Sequence, residues 1–167
     1  CEIMSFCAAP GAALYGRTCL SLHSLNVAQT ASGAYCVHSE EENPIPAGEY
    51  TLSAYLKVLE EVTGDTDVEN PGVYLRVKDA NGTILAESEH LRTTDGEYMR
   101  TGVTFVVPAA VMLDVQVLMD GKGSAYADAI QLEDNPCINA YNMLEDGNFE
   151  RKIMLLSDWK ASEGVDY

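Results

Sequence analysis

The chain has 167 residues, with 26 acidic against 10 basic side chains and a net charge of −16. Its 47% hydrophobic and 22% charged residues match an ordinary globular protein, which excludes a disordered acidic tail, a collagen-like fibre and a coiled coil. A surface this acidic repels phosphate backbones and anionic membranes, and no run approaches the roughly 20 apolar residues of a membrane helix.

Alternation of apolar and polar residues dominates, and helical periodicity is nearly absent. The run Leu14–His23 alternates loosely, and Gly33–His38 is short and followed by Glu40-Glu41-Glu42. Pro44-Ile45-Pro46-Ala47-Gly48 is a turn signal. Tyr50, Leu52, Ala54, Leu56 and Val58 then alternate with Thr51, Ser53, Tyr55 and Lys57, the clearest strand of the chain. Residues Glu60 to Gly72 are acidic and polar and predict a long loop. Val73, Leu75 and Val77 alternate with Tyr74, Arg76 and Lys78, and the pair Asn81-Gly82 predicts a hairpin into Thr83–Glu87. After a turn at Thr94-Asp95-Gly96 come strands over Thr101–Val107, Leu113–Met119 and Ala125–Glu133. Short strands between turns, each with one buried and one wet face, predict an all-β antiparallel β-sandwich.

Five cysteines, Cys1, Cys7, Cys19, Cys36 and Cys137, make an odd number without a CxxC spacing. Cys19 and Cys36 lie in predicted strands; they either face each other or serve as buried thiols, and the burial habit of cysteine favours the second. A start at Cys1 is expected of a processed or excised chain. Asn81-Gly82-Thr83 is a glycosylation sequon, meaningful only in a eukaryotic secretory route.

The order of the strand motifs carries a resemblance. Tyr50-Thr51-Leu52-Ser53-Ala54-Tyr55-Leu56-Lys57 resembles a strand of carbohydrate-binding-module-like, galactose-binding-like jelly rolls. Ala125-Tyr126-Ala127-Asp128-Ala129-Ile130-Gln131-Leu132-Glu133 resembles their closing strand. Tyr98-Met99-Arg100 through Phe105 to Pro108 resembles the segment between, with Tyr98 in place of the usual tryptophan. Such modules are similar to xylan- and glucan-binding domains and also occur as repeats of large bacterial surface proteins, including YD-repeat types. The family's opening segment is missing at residues 1–13 and recurs near the end, as Asn142-Met143-Leu144-Glu145-Asp146-Gly147-Asn148-Phe149-Glu150, followed by Trp159. The resemblance therefore implies a module over residues 1–140. It also implies a 141–167 segment opening a following repeat, with 141–150 filling the vacant strand slot of its own sandwich or of a neighbour's.

Asp128 shares the strand parity of Ile130 and Leu132 and is expected to face inward, where a carboxylate needs a partner. The resemblance implies that it ligates a structural Ca²⁺ with Glu150; otherwise it accepts hydrogen bonds from loop amides. Asp65, Asp67 and Glu69 begin like an EF-hand, but Asn70 and Arg76 stand where glycine and glutamate are required, so that reading is rejected. The outward residues Tyr55 and Lys57, Tyr74 and Arg76, and Asp114 and Gln116 are expected to converge on one sheet face. Tyr55, Tyr74, Arg76 and Gln116 would there form a carbohydrate-binding platform, against the alternative of an ordinary wet sheet face. A binding module is expected to present at least two coplanar rings, whereas a spacer shows isolated tyrosines. No nucleophile elbow, zinc-protease or Walker motif occurs, and His23, His38 and His90 lack a nucleophile partner, so the chain is expected not to be an enzyme. The expected function is non-catalytic binding of a plant or bacterial polysaccharide by a secreted or cell-surface protein, beside neighbouring repeats of the same polypeptide. A structural spacer or adhesion repeat without a small ligand is the alternative.

Overall fold

A computed structural model describes residues 3–7, 11–25, 30–37, 44–66, 68–134 and 159–161; in 3–7, 30–37 and 159–161 it describes the backbone path. The strands are β1 (Ile3–Cys7), β2 (Cys19–Ser24), β3 (Thr30–Val37), β4 (Gly48–Thr63) and β5 (Gly72–Asp79). They continue as β6 (Ile84–Glu87), β7 (Met99–Val107), β8 (Leu113–Asp120), β9 (Lys122–Glu133) and β10 (Trp159–Ala161). The described residues contain no helix.

Ten strands form two antiparallel five-stranded sheets, ordered β1-β2-β9-β4-β7 and β10-β3-β8-β5-β6. Below, these are sheets A and B. The all-β antiparallel sandwich expected from alternation is therefore the observed architecture. The apolar side of each strand turns to the other sheet. Tyr50, Leu52, Ala54, Leu56 and Val58 of β4, with Leu20 and Leu22 of β2, meet Val73, Leu75 and Val77 of β5 and Val115, Val117 and Met119 of β8 in one core cluster. Full burial of a Val, Leu or Met side chain contributes roughly 1.5–3 kcal/mol, so this alternation dominates the fold's stability.

Two boundaries differ from the sequence reading. Strand β4 runs on to Thr63, past Val58, because Val62 supplies another fully buried anchor while Glu60 and Glu61 face water. Its register with β9 survives through bulges around Val58 to Thr63. The run Leu14–His23 is divided: residues 11–18 form a loop, with Gly11 and Gly16 at φ +80° and +73°, and β2 starts at Cys19. The Asn81-Gly82 hairpin is present, with Gly82 at φ +82°. Asp79 Oδ1 accepts the N–H groups of Asn81 and Thr83 at 2.8 Å each, which holds the carboxyl's pKa below its ordinary value.

The two strand cysteines fall in different sheets. Cys36 lies on β3 of sheet B opposite Asp114, whereas Cys19 lies on β2 of sheet A opposite Cys7. Cys19 and Cys36 therefore do not pair across a ladder, and Cys19 is fully buried. Residues 141–150, with Glu150, lie outside the described residues, as do Cys1, His38, Asp67 and Cys137. Further along the tail, Trp159, Lys160 and Ala161 pair with Tyr35, Ala34 and Gly33, placing β10 at the edge of sheet B.

The β8–β9 turn has a strict backbone requirement. Gly121 sits at φ +104°, and a Cβ there would stand 2.5 Å from the carbonyl oxygen of Thr63. Gly121→Ala is expected to destabilise the fold by about 1–3 kcal/mol, read as a lower urea midpoint at unchanged slope.

Candidate functional site

The outer face of sheet A is built around a bulge in β9. Gln131 pairs with Ser53 and Asp128 with Tyr55, so β9 spends three residues where β4 spends two. Ala129 at the bulge has φ +49°. Ala127 and Ile130, three apart, both reach the core. The extra residue breaks the alternation that the sequence suggested for Asp128, which therefore does not share the inward side of Ile130 and Leu132. It lies with Tyr126 on the outer side, yet is fully buried.

The loop of residues 11–18 supplies what that carboxylate needs. Leu14 and Tyr15 donate their backbone N–H groups to Asp128 Oδ2 at 2.8 and 2.9 Å, and Ala129 donates to Oδ1 at 2.7 Å. The Tyr98 hydroxyl donates to the carbonyl of Ala12 in the same loop. Burial, with Cys19 adding to it, raises the pKa of that phenol. Both oxygens of Asp128 thus accept amide hydrogens, the described residues hold no group of three metal-ligating side chains, and Glu150, the other expected Ca²⁺ ligand, lies outside the described residues.

The loop so fixed delivers Tyr15 beside Tyr55. Their ring centroids are 5.8 Å apart and their planes 77° apart, making a corner rather than the coplanar pair expected of a flat platform. Tyr15 is 52% exposed, so its ring is open to a ligand. Its hydrogen bond with Tyr55 raises the pKa of its hydroxyl. Arg100, the β7 partner of Tyr55, lies 5.3 Å over the Tyr55 ring. Its Nη2 donates to Gln131 Oε1 at 2.6 Å and to Ser53 Oγ at 3.3 Å. Lys57, two residues along β4, sits 5.6 Å over the Tyr98 ring. The face thus offers two aromatic walls at right angles, bordered by amide, hydroxyl and cationic donors.

The expected four-residue platform is not one site. Tyr55 belongs to sheet A because β4 pairs with β7 and β9, whereas the chain crosses to sheet B at β5. Arg76 pairs with Gln116 and Tyr74 with Leu118, so the other three residues do share a face. There Tyr74 is 1% exposed, under the His90 ring stacked at 3.6 Å and 12°. Its hydroxyl donates to Asp120 Oδ2 at 2.9 Å and accepts from Arg76 Nη2 at 2.9 Å. Burial first, and Asp120 next, raise its pKa well above the ordinary value. Arg76 also forms an ion pair with Glu87, and Gln116 Nε2 donates to Asp114. Among the described residues this face is a polar network with no open ring, in which Gln116 Oε1 alone of these groups is buried without a partner. A separate cleft of about 460 Å³ beside the β5–β6 turn is lined by Lys78, Asp79, Met112 and Asp114 and contains no aromatic ring.

Sequence reasoning found Tyr55 and missed Tyr15, Arg100 and Gln131. Tyr15 was hidden by reading a strand through Gly16, whose positive φ marks a loop. Arg100 stood inside a quoted motif, but only the β4–β7 register shows which ring it covers.

No family model matches the chain, and no curated protein matches it. Among solved structures the chain is similar to TmCBM61, a module in complex with β-1,4-galactotriose, at a TM-score of 0.55 and 15% identity over 79% of this chain and 82% of that one. It is also similar to the enzymatically active domain of tailspike protein 4 of bacteriophage CBA120, at 0.54 and 11%, over 79% of this chain. A third is the CBM22-1–GH10 part of a Clostridium thermocellum endo-1,4-β-D-xylanase, complexed with xylohexaose, at 0.50 and 15%, over 85% of this chain. This chain spans only 18% of the tailspike chain and 27% of the xylanase chain. These likenesses show the fold, a β-sandwich of the jelly-roll type that carbohydrate-binding modules share.

Two outcomes follow from the acids of the two faces. Asp128→Ala leaves the amides of Leu14, Tyr15 and Ala129 without their acceptor and is expected to cost roughly 1–3 kcal/mol. Faster hydrogen exchange at Leu14 and Tyr15 should accompany that loss. Asp114 has its pKa raised, chiefly by burial, against the opposing pull of Lys78 and Gln116. A carboxyl whose folded pKa is raised favours the folded state most below its unfolded pKa and loses that benefit as pH rises through the folded one. Asp114→Asn should therefore gain stability relative to the parent as pH is raised from acid to neutral, measured by urea titration at each pH.

Proposed function

We propose that the chain is a carbohydrate-binding module whose ligand sits in the Tyr15–Tyr55 corner on the outer face of sheet A. The observation that carries this reading is the pairing of an exposed ring with hydrogen-bonding groups on a rigid sheet. Sugar rings present flat C–H faces that suit aromatic walls, while their hydroxyls need donors and acceptors at the rim. Tyr15 and Tyr55 supply the walls, and Arg100, Gln131 and Ser53 supply the rim. The likeness of the fold to a module solved with galactotriose supports the same reading.

Walls at right angles hold one sugar on two sides. A flat crystalline polysaccharide cannot enter such a corner, so the ligand of this reading is a single soluble glycan chain or its end. The binding is non-covalent, and no residue of the corner is assigned a catalytic role. The module acts within a secreted or surface-attached protein, where it holds its neighbours at a polysaccharide.

A glycan array with the purified chain tests the proposal, run with calcium and again with EDTA. Tyr15→Ala and Tyr55→Ala should each weaken a hit at least about tenfold, near 1.4 kcal/mol, with the fold intact. Tyr74→Ala should instead lower stability by roughly 3 kcal/mol, because Tyr74 is packed rather than presented. EDTA should leave binding unchanged, since amides satisfy Asp128; loss of signal with EDTA would restore Ca²⁺ at that residue. A folded sample that binds no glycan gives the role to the structural spacer.

A further inference from the structure

The cations of the molecule are not used alike. Arg76 is ion-paired with Glu87 and Arg92 with Glu61. Arg100 and Lys57, on the outer face of sheet A, form no ion pair with any described carboxylate. They are held instead against tyrosine rings, Arg100 over Tyr55 at 5.3 Å and Lys57 over Tyr98 at 5.6 Å. Only Nη2 of Arg100 is engaged, by Gln131 and Ser53, and its Nε and Nη1 hydrogens have no acceptor among the described residues. The Lys57 ammonium likewise donates no hydrogen bond there.

In a chain with 26 acids and 10 bases this is an unusual placement. Chance neighbours of any cation on such a surface are carboxylates. The two outer-face acids of β9 form no ion pair with either cation. Asp128 keeps its charge beside the corner but spends its oxygens on the loop amides. Glu133 is buried opposite Thr51, four positions and about 13 Å along β4 from Tyr55. Among the described residues, Arg100 and Lys57 thus border the Tyr15–Tyr55 corner without a salt bridge to a carboxylate.

We infer that the glycan of this corner is an acidic one, whose uronic-acid carboxylate is taken by Arg100 with Lys57 beside it. The inference rests on the carbohydrate-binding reading above and adds the class of sugar. The Nη1 and Nε hydrogens left open on Arg100 lie on different sides of the guanidinium, so a carboxylate is taken by a single charge-assisted hydrogen bond rather than a fork. The Tyr55 ring beneath keeps the guanidinium in place and shields it from water on one side. The rest of the surface repels anions, so a short or sparsely charged uronate glycan fits better than a densely charged polymer.

The test is an array of uronate-bearing oligosaccharides, oligogalacturonate among them, printed beside the same glycans after their carboxyl groups are reduced to alcohols. The parent chain should prefer the uronate forms by about tenfold or more. Lys57→Gln should shrink that preference and leave Tyr15-dependent binding to the reduced forms; Arg100→Gln, which also removes a rim donor, should weaken binding to both forms and to the uronate form more, and the double substitution should abolish the preference. Arg100 is exposed and Lys57 half-buried, and neither is ion-paired with a described residue, so near-parental urea midpoints are expected and confirm that the variants fold. Equal binding to both forms, or a preference that survives the double substitution, overturns the acidic-glycan inference and leaves the binding module standing. No binding to any glycan by the folded parent overturns both.

Discussion

One carboxylate decides what the outer face of sheet A presents. Asp128 is out of water, and a buried charge without partners would cost several kcal/mol. Its partners are the backbone amides of Leu14, Tyr15 and Ala129. The bulge at Ala129 turns the acid to the outer side, the acid fixes the loop, and the loop sets Tyr15 against Tyr55. Each step in this series depends on the one before. The residues that would touch a ligand are two steps away from the residue that positions them.

The two outer faces of the sandwich show how similar residues are put to different uses. Each has a tyrosine with an arginine guanidinium 5.3 Å from its ring centroid. On sheet B the His90 ring closes over Tyr74, and Glu87 and Asp120 neutralise the polar groups around it. On sheet A no ring of the described residues closes over Tyr15, and Arg100 is met by a neutral amide and a hydroxyl. The first arrangement spends its polar groups on itself, and the second leaves them for something else. A hydrogen-bond network that is complete stabilises a face; one with spare donors can recognise a ligand.

Alternation made the fold readable. Most strands of the two sheets follow from period-two patterns, because one side of each must leave water. Strands β1 and β10 escaped notice, since five and three residues carry too little pattern. The site was harder to read. Tyr55 was legible as an outward residue, but its neighbours were not, because sheet membership is set by the crossover between β4 and β5. Asp128 was rightly singled out as a buried acid needing partners, yet its direction was misread, because a bulge leaves no mark in an alternating sequence. Exposure of Tyr15 against burial of Tyr74 depends on what lies above each ring, and no spacing rule reports that.

The order of strands also has a consequence for how the molecule assembles in time. In sheet B, β8 lies between β3 and β5; in sheet A, β9 lies between β2 and β4. Each central strand thus follows both of these partners in the chain, and the partners wait tens of residues earlier. Until residues 113–133 are made, each sheet is two separated halves with unpaired inner edges. Such long-range pairing makes for slow folding, on the scale of milliseconds to seconds. During that interval the strong acidity serves a second purpose, since mutual repulsion keeps the waiting edges of neighbouring chains apart.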